Sequence, residues 1–323
     1  MSLCFRFASV VAAVASAATF SAFAQTYPDK PVHVIVPYPP GGTSDFGARV
    51  IGNRLGTLLG QSLVIENRGG ATGAIGAEAV ARSRPDGYTL VYTPGTDMVL
   101  RHFLMKNNPV DVNKDFTPIA IAVLSSSIIV ANPATPINSA KELIESAKRS
   151  PGKQTYGTPG PGSNFHLAGE LLKMHGVVLT HVPYKGGGPA LQAVLSGETS
   201  LSLLDFTGIV PFVKEGKLKA IAMIDPKRRS ELPDVPALGE ILPGYFMPES
   251  WFAYFGPAGL PQPIVARLNA DIGRALNASD VRPRLEERSL TVVGSPPEEV
   301  TKTIKTSFEV YAKVIKAAGI QPE

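Results

Sequence analysis

Two glycine-rich stretches carry the chemistry open to this chain. YPPGGTSD, Tyr38 to Asp45, follows the apolar run VHVIV and leads into FGARVIGNRLGTLLG. GTPGPGSN, Gly157 to Asn164, follows a second short apolar run and leads into FHLAGELLKMHG. In both, prolines and glycines make a short strand-to-helix loop, and small polar residues open the helix. The first N–H groups of a helix have no partner within it, and they sit at its positive end. Such donors suit a carboxylate or phosphate without help from a charged side chain. HVPYKGGGPALQAVLSG repeats the device with Tyr184, Lys185 and Gly186, and YTPGTDM does so more weakly with Thr93 and Thr96. One such loop would read as a tight turn; four in one chain point to an anion site.

Nothing in the sequence obviously attacks the anion. GTPGPGSN has the length of a nucleotide-binding P-loop, but Ser163-Asn164 stand where the phosphate-bridging Lys and its Ser/Thr belong. GGATGAIG lacks the dinucleotide-binding spacing. Around Ser44, Phe46 takes the second glycine position of a nucleophile elbow. The 5 histidines include no metal-binding pair; His33 and His175 fall on apolar positions, and His166 in a first helical turn reads as packing before contact with a ligand. No two acids stand in adjacent loops in a way that calls for acid–base work. A hydrolase acting through Ser163 or Ser44 therefore has no base placed beside its nucleophile. No catalytic residue, no metal and no cofactor is expected.

The N-terminus says where the protein works. Arg6, an Ala/Val-rich middle and Ala22-Phe23-Ala24 before Gln25 form a secretory signal peptide, with cleavage expected after Ala24. The sole cysteine, Cys4, lies in the piece removed, so the mature chain is expected to hold no disulfide and no thiol ligand. The chain is long enough to rely on a large core divided between two domains. No later segment reads as a membrane span, so a soluble periplasmic product is expected. The net charge of +4 is scattered, and the KRR cluster at Lys227 to Arg229 reads as a solvated loop. Nucleic-acid binding is not expected: there is no basic face, and a single Trp offers little for base stacking.

Short β-rich runs alternate with helical periods along the chain. Val32–Val36, Leu63–Ile65, Thr89–Tyr92, Ile119–Val123, Ile128–Val130, Gln154–Tyr156, Thr180–Val182, Leu201–Leu204 and Ala220–Ile224 read as strands. Asp45–Leu59, Ala74–Arg82, Ser139–Arg149, Ser163–His175, Gly188–Leu195 and Gly208–Glu215 read as the helices between them. This alternation predicts βαβ units in a parallel sheet, with the glycine loops at the carboxyl ends of the strands, where ligands bind. After an aromatic strand at Trp251–Phe255 the chain reads as nearly all helix. Crossings between two halves are predicted near Val123–Ser127 and Glu249–Trp251.

Taken with the exported N-terminus, YPDKPVHVIVPYPPGGTSDFGAR, VIENRGGATGAIGAE, PDGYTL, KDFTPIA, YGTPGPGSNFHLAGELL, HVPYKGGGPA and RSELPDVPAL resemble the Bug family, in order and over essentially the whole mature chain. These are periplasmic solute receptors of tripartite tricarboxylate transporters. The resemblance implies an α/β fold of the type II periplasmic binding-protein class: two α/β lobes with mixed sheets that close on a ligand as a Venus flytrap. Residues 25–124 with 250–323 would form one lobe and 125–249 the other. Carried over, Tyr38, Pro39, Gly41, Gly42, Thr43 and Asp45 would hold a carboxylate from one lobe, and Thr158, Gly160, Gly162, Ser163 and Asn164 from the other. Tyr184, Lys185, Gly186, Asp205 and Phe206 would shape the rest, while Asp45 is expected to cap its helix. The implied partners are a small carboxylate ligand and the membrane permease subunits, with the receptor a monomer. A sensor role, presenting the liganded form to a membrane kinase, is the alternative.

Three departures bear on the ligand. GETSLSLLDF places Ser200 where the family commonly has an acid, while Asp205 remains. TPGTDMV lacks a histidine usual in that loop and carries Asp97, which reads first as a helix N-cap and second as a contact for a ligand ammonium. The low charge of the predicted pocket favours a mono- or dicarboxylate, an acidic amino acid or an aromatic acid over citrate.

Overall fold

The computed structural model describes residues 27–322; the predicted signal peptide lies outside them. Two sheets organise the chain. The first strand, β1 (Val32–Val36), is an unbroken apolar run, and it pairs in parallel with both β2 (Leu63–Asn67) and β3 (Thr89–Pro94). Helix α1 (Thr43–Leu59) covers it with Val50, Ile51, Leu55 and Leu59, and Gly60 ends it in a left-handed conformation that glycine adopts without strain. Helix α2 (Ala74–Ala81) links β2 to β3. Helix α3 (Gly95–Leu104) then follows β3 directly.

From here the parallel pattern fails. Strand β4 (Phe116–Ser125) runs antiparallel to β10 (Ser250–Pro257), which lies between it and β3, and the short β11 (Leu290–Val292) closes the far edge. The six-stranded order is β11-β4-β10-β3-β1-β2. A strand that returns from a remote part of the chain enters without the crossover helix that parallel pairing needs, so it is free to pair antiparallel. Pro118 sits in β4 where the register with β10 shifts, in keeping with its missing donor.

The second sheet is built from β5 (Ser127–Ala131), β6 (Thr155–Thr158), β7 (Thr180–Pro183), β8 (Leu201–Asp205) and β9 (Lys219–Met223), in the order β7-β6-β8-β5-β9. β6 pairs in parallel with β7 and β8, whereas β5 is antiparallel to β8 and β9. Helices α4 (Ala140–Arg149), α5 (Asn164–Met174) and α6 (Gly187–Ser196) join β5 to β8, the short α7 (Val210–Lys214) leads from β8 to β9, and α8 (Leu238–Ile241) follows β9. The chain leaves the first sheet at Ser125, enters the second at Ser127, and returns at Ser250. Both sheets are therefore mixed, not parallel as alternation alone predicts. The remaining helices, α9 (Gln262–Leu276), α10 (Arg282–Glu286) and α11 (Pro297–Ala318), follow β10. α11 packs on β4 and α3 and also touches α5 of the other lobe. Among the described residues no helix is long and apolar enough to cross a membrane.

Candidate functional site

Three helices begin at one cavity between the sheets. The loop from β1 turns at Gly41, whose φ of +91° suits glycine, and Gly42 precedes the first turn of α1 in extended conformation. Facing it from the other lobe is the start of α6. A methyl placed on Gly42 would lie 3.9 Å from the N of Gly188, and one on Gly188 would lie 3.4 Å from the carbonyl O of Pro40. α5 enters from the same side, and its first residue, Asn164, lines the cavity with Phe165. Positive helix ends thus converge from both lobes. The cavity holds about 60 Å³, room for roughly four to six waters or part of a small solute.

Of the residues expected at the ligand, Tyr38, Pro39, Gly41, Gly42, Thr43, Asn164 and Asp205 line this space. The others are turned to different tasks. Asp45 lies in the first turn of α1 and accepts from the Gly41 N–H at 3.1 Å, Asn67 Nδ2 at 3.0 Å and Arg49 Nε at 2.9 Å. It ties the loop to β2, and Gly42, not Asp45, is the N-cap. Thr93 is fully buried in β3, and the Thr96 hydroxyl faces the N–H of Trp251 at 3.4 Å. Thr158 Oγ1 pairs with His181 Nε2 at 2.7 Å and accepts from the Gly160 N–H. Ser163 is the N-cap of α5, accepting from His166 N and donating to the Gly160 carbonyl at 2.7 Å, so its hydroxyl belongs to the helix start. Gly162 N donates to His166 Nδ1, and the His166 ring stacks on His181 away from the cavity.

Tyr184 and Lys185 border a separate cleft of about 380 Å³ beside Thr72 and Pro161, and the Tyr184 hydroxyl donates to Glu198. Gly186 precedes α6 at φ +123°, its N–H bound to the Pro159 carbonyl; a Cβ there would lie 2.7 Å from Pro39 Cδ of the other lobe. Phe206 is buried in the core of the second lobe. Residues that sequence reasoning missed take the vacated positions: Ser44, Gly187 and Gly188 just inside the helix starts, and Leu191, Ile209, Ser250 and Phe252 around them. The last four look like core or crossing positions in the sequence, so no local signal marks them.

Asp97 lines the floor of the cavity in a role neither expectation described. Its Oδ2 accepts from the Tyr38 hydroxyl at 2.6 Å, and its Oδ1 from the Asn164 N–H of the opposite lobe at 3.0 Å. Pro94, not Asp97, precedes α3 as its N-cap. Burial pushes the Asp97 carboxyl above its usual range, while those two hydrogen bonds and the Arg101 guanidinium pull it back. Arg101 is fully buried one helical turn on, and its Nη1 donates to the Thr72 carbonyl at 2.7 Å. The spacing of Asp97 and Arg101, four apart on an apolar helix, was the signal in the sequence. Asp205, at the end of β8, is the second acid on the cavity. Its Oδ1 accepts from Ser125 Oγ at 3.1 Å, and burial lifts its carboxyl to about 7, with Asp97 adding to the lift and the Ser125 and Thr43 hydroxyls opposing it.

Two mixed sheets joined by chain crossings, with helix starts converging on the space between them, define a two-lobed solute-binding protein. Residues 47–320 match the tripartite tricarboxylate transporter family receptor, and the chain belongs to that family. It superposes on periplasmic binding protein BugD with a TM-score of 0.87 at 31% identity, covering 92% of this chain and 100% of that one. Rpa4515 of R. palustris, solved with adipate, gives 0.87 at 32% identity over 92% and 100% of the two chains. MatC of Rhodopseudomonas palustris, solved with malate, gives 0.85 at 32% over 90% and 100%.

Proposed function

We propose that this chain is a periplasmic receptor that closes on a small organic carboxylate and hands it to the membrane permease of a tripartite tricarboxylate-type transporter. The observation that carries the reading is the convergence of the α1, α5 and α6 starts, from both lobes, on a cavity with no Lys, Arg or His among its described lining residues. Backbone donors at positive helix ends hold a carboxylate without a counter-charge. The adipate and malate in the two relatives supports a solute of that class. The absence of basic side chains from the described lining favours a mono- or dicarboxylate, an acidic amino acid or a compact aromatic acid over a tricarboxylate.

Thermal melting of refolded protein against carboxylates, amino acids, sugars and phosphates tests this, because refolding removes a co-purified solute. A solute at a hundredfold excess over its Kd adds about 2.7 kcal/mol, a shift of several degrees. Shifts confined to carboxylates are expected. Shifts only with sugars or phosphates, or none at all, would discard the reading.

A further inference from the structure

We propose that the left-handed turn Gly70–Gly73 is a sprung clasp: it takes that form to meet the other lobe, and the cost of taking it sets how readily the lobes close. The effect on solute affinity rests on the receptor reading above; the effect on closure does not. The turn joins β2 to α2 and lines the cleft of about 380 Å³ that Tyr184 and Lys185 border. Four residues in a row have positive φ: Gly70 at +135°, Ala71 at +46°, Thr72 at +50° and Gly73 at +84°. Glycine takes such angles freely, whereas an L side chain resists them, a β-branched one most of all. Two such residues side by side persist only where their surroundings over-determine them.

Part of those surroundings belongs to the other lobe. On its own side, the Thr72 carbonyl accepts from Arg101 Nη1 at 2.7 Å, with the Tyr38 hydroxyl 3.2 Å from the same oxygen, and Gly73 N donates to the Gly70 carbonyl at 2.9 Å. Across the cleft, the Thr72 hydroxyl donates to the Pro161 carbonyl, and a Cβ placed on Gly160 would lie 2.8 Å from Thr72 Oγ1. When the lobes part, that hydroxyl leaves Pro161, and the turn is released to relax toward negative φ. Closing therefore winds Ala71 and Thr72 into a form that the open receptor need not keep. Ala71 is where the cost can be changed alone. It is exposed, and it lines the cleft but not the cavity, so exchanging it leaves the solute's surroundings intact.

Ala71→Gly and Ala71→Val move that cost in opposite directions. Small-angle scattering of the refolded, unliganded proteins is expected to give A71G a smaller radius of gyration than wild type and A71V a larger one. In calorimetric titrations with malate, succinate and glutamate, any acid that binds wild type is expected to bind A71G about fivefold tighter and A71V about fivefold weaker. Should A71V fold poorly, A71G decides alone. Equal radii with equal affinities, even beside a shifted melting midpoint, would show the turn equally strained open and closed and overturn the clasp, leaving the receptor reading intact. If none of the three acids binds, that counts against the receptor reading, and the radii alone decide the clasp.

Discussion

Asp225 is a buried acid that no cation among the described residues offsets. It follows β9, its Oδ2 accepts the Ser127 N–H at 2.8 Å, and its Oδ1 has no partner. Burial pushes its carboxyl up to about 8, and Glu249 and Asp205 push further in the same direction, against the Ser127 N–H bond and the nearby Ser126 hydroxyl. In the unfolded chain an aspartate titrates near 3.9. A carboxyl raised on folding contributes stability that is fully present below about pH 4 and is lost as pH rises through 8. His181, held down to about 4 by burial and by His166, acts in the opposite sense, below pH 6.5. Comparing Asp225→Asn with wild type isolates the aspartate, since the amide oxygen can still accept from Ser127. Urea denaturation at pH 5 and pH 8.5 should show the variant gaining on wild type by on the order of 2 kcal/mol between the two. Parallel curves for the two proteins would mean Asp225 is ionised at little cost.

At the scale of elements, helix starts do the positioning, so their caps are the place to weaken them. Ser163→Ala removes the acceptor for His166 N and the donor to the Gly160 carbonyl. A loss of about 1 kcal/mol is expected by denaturation, with solute affinity falling as the α5 start frays. An unchanged midpoint would mean that the loop holds without its cap. The helices that carry a clear apolar stripe, such as α1 and α5, were legible in the sequence, as were their glycine stops. Helix α3 was not: Gly95 after Pro94 looks like a turn, yet a Cβ there would fall inside the Trp251 ring. That glycine answers to a side chain more than 150 residues away. Strand direction was equally hidden, because β4, β5 and β10 pair with partners brought together by the crossings. The loops themselves were legible as strand-to-helix turns, and several of their residues line the cavity. Which of their residues reach the cavity was not legible, since the turn at Gly186 sends Tyr184 and Lys185 to the neighbouring cleft and brings Gly187 and Gly188 inward.

Considered whole, the two lobes meet through direct contacts across the cleft. Asp97 reaches the Asn164 N–H across the cleft, Thr72 donates to the Pro161 carbonyl, and Pro39 rests against Gly186. Thr72→Val deletes one of these without altering shape. A hydrogen bond worth about 1 kcal/mol shifts an open–closed equilibrium about fivefold. Small-angle scattering of unliganded T72V should therefore give a larger radius of gyration than wild type, with saturating solute restoring the compact value. Identical curves without solute would show that the Thr72 bond does not set the balance.

The facing glycines at Gly42 and Gly188 have an evolutionary corollary. Where main-chain amides grip the carboxylate, only a substitution by proline deletes a gripping atom, because every other residue brings the same N–H. The side chains around the rest of the cavity, Asp205, Leu191 and Phe252 among them, are then free to drift toward new solutes while the anchor persists. One scaffold could so diversify into many receptors by exchanging a handful of neighbours, each intermediate still holding an acid.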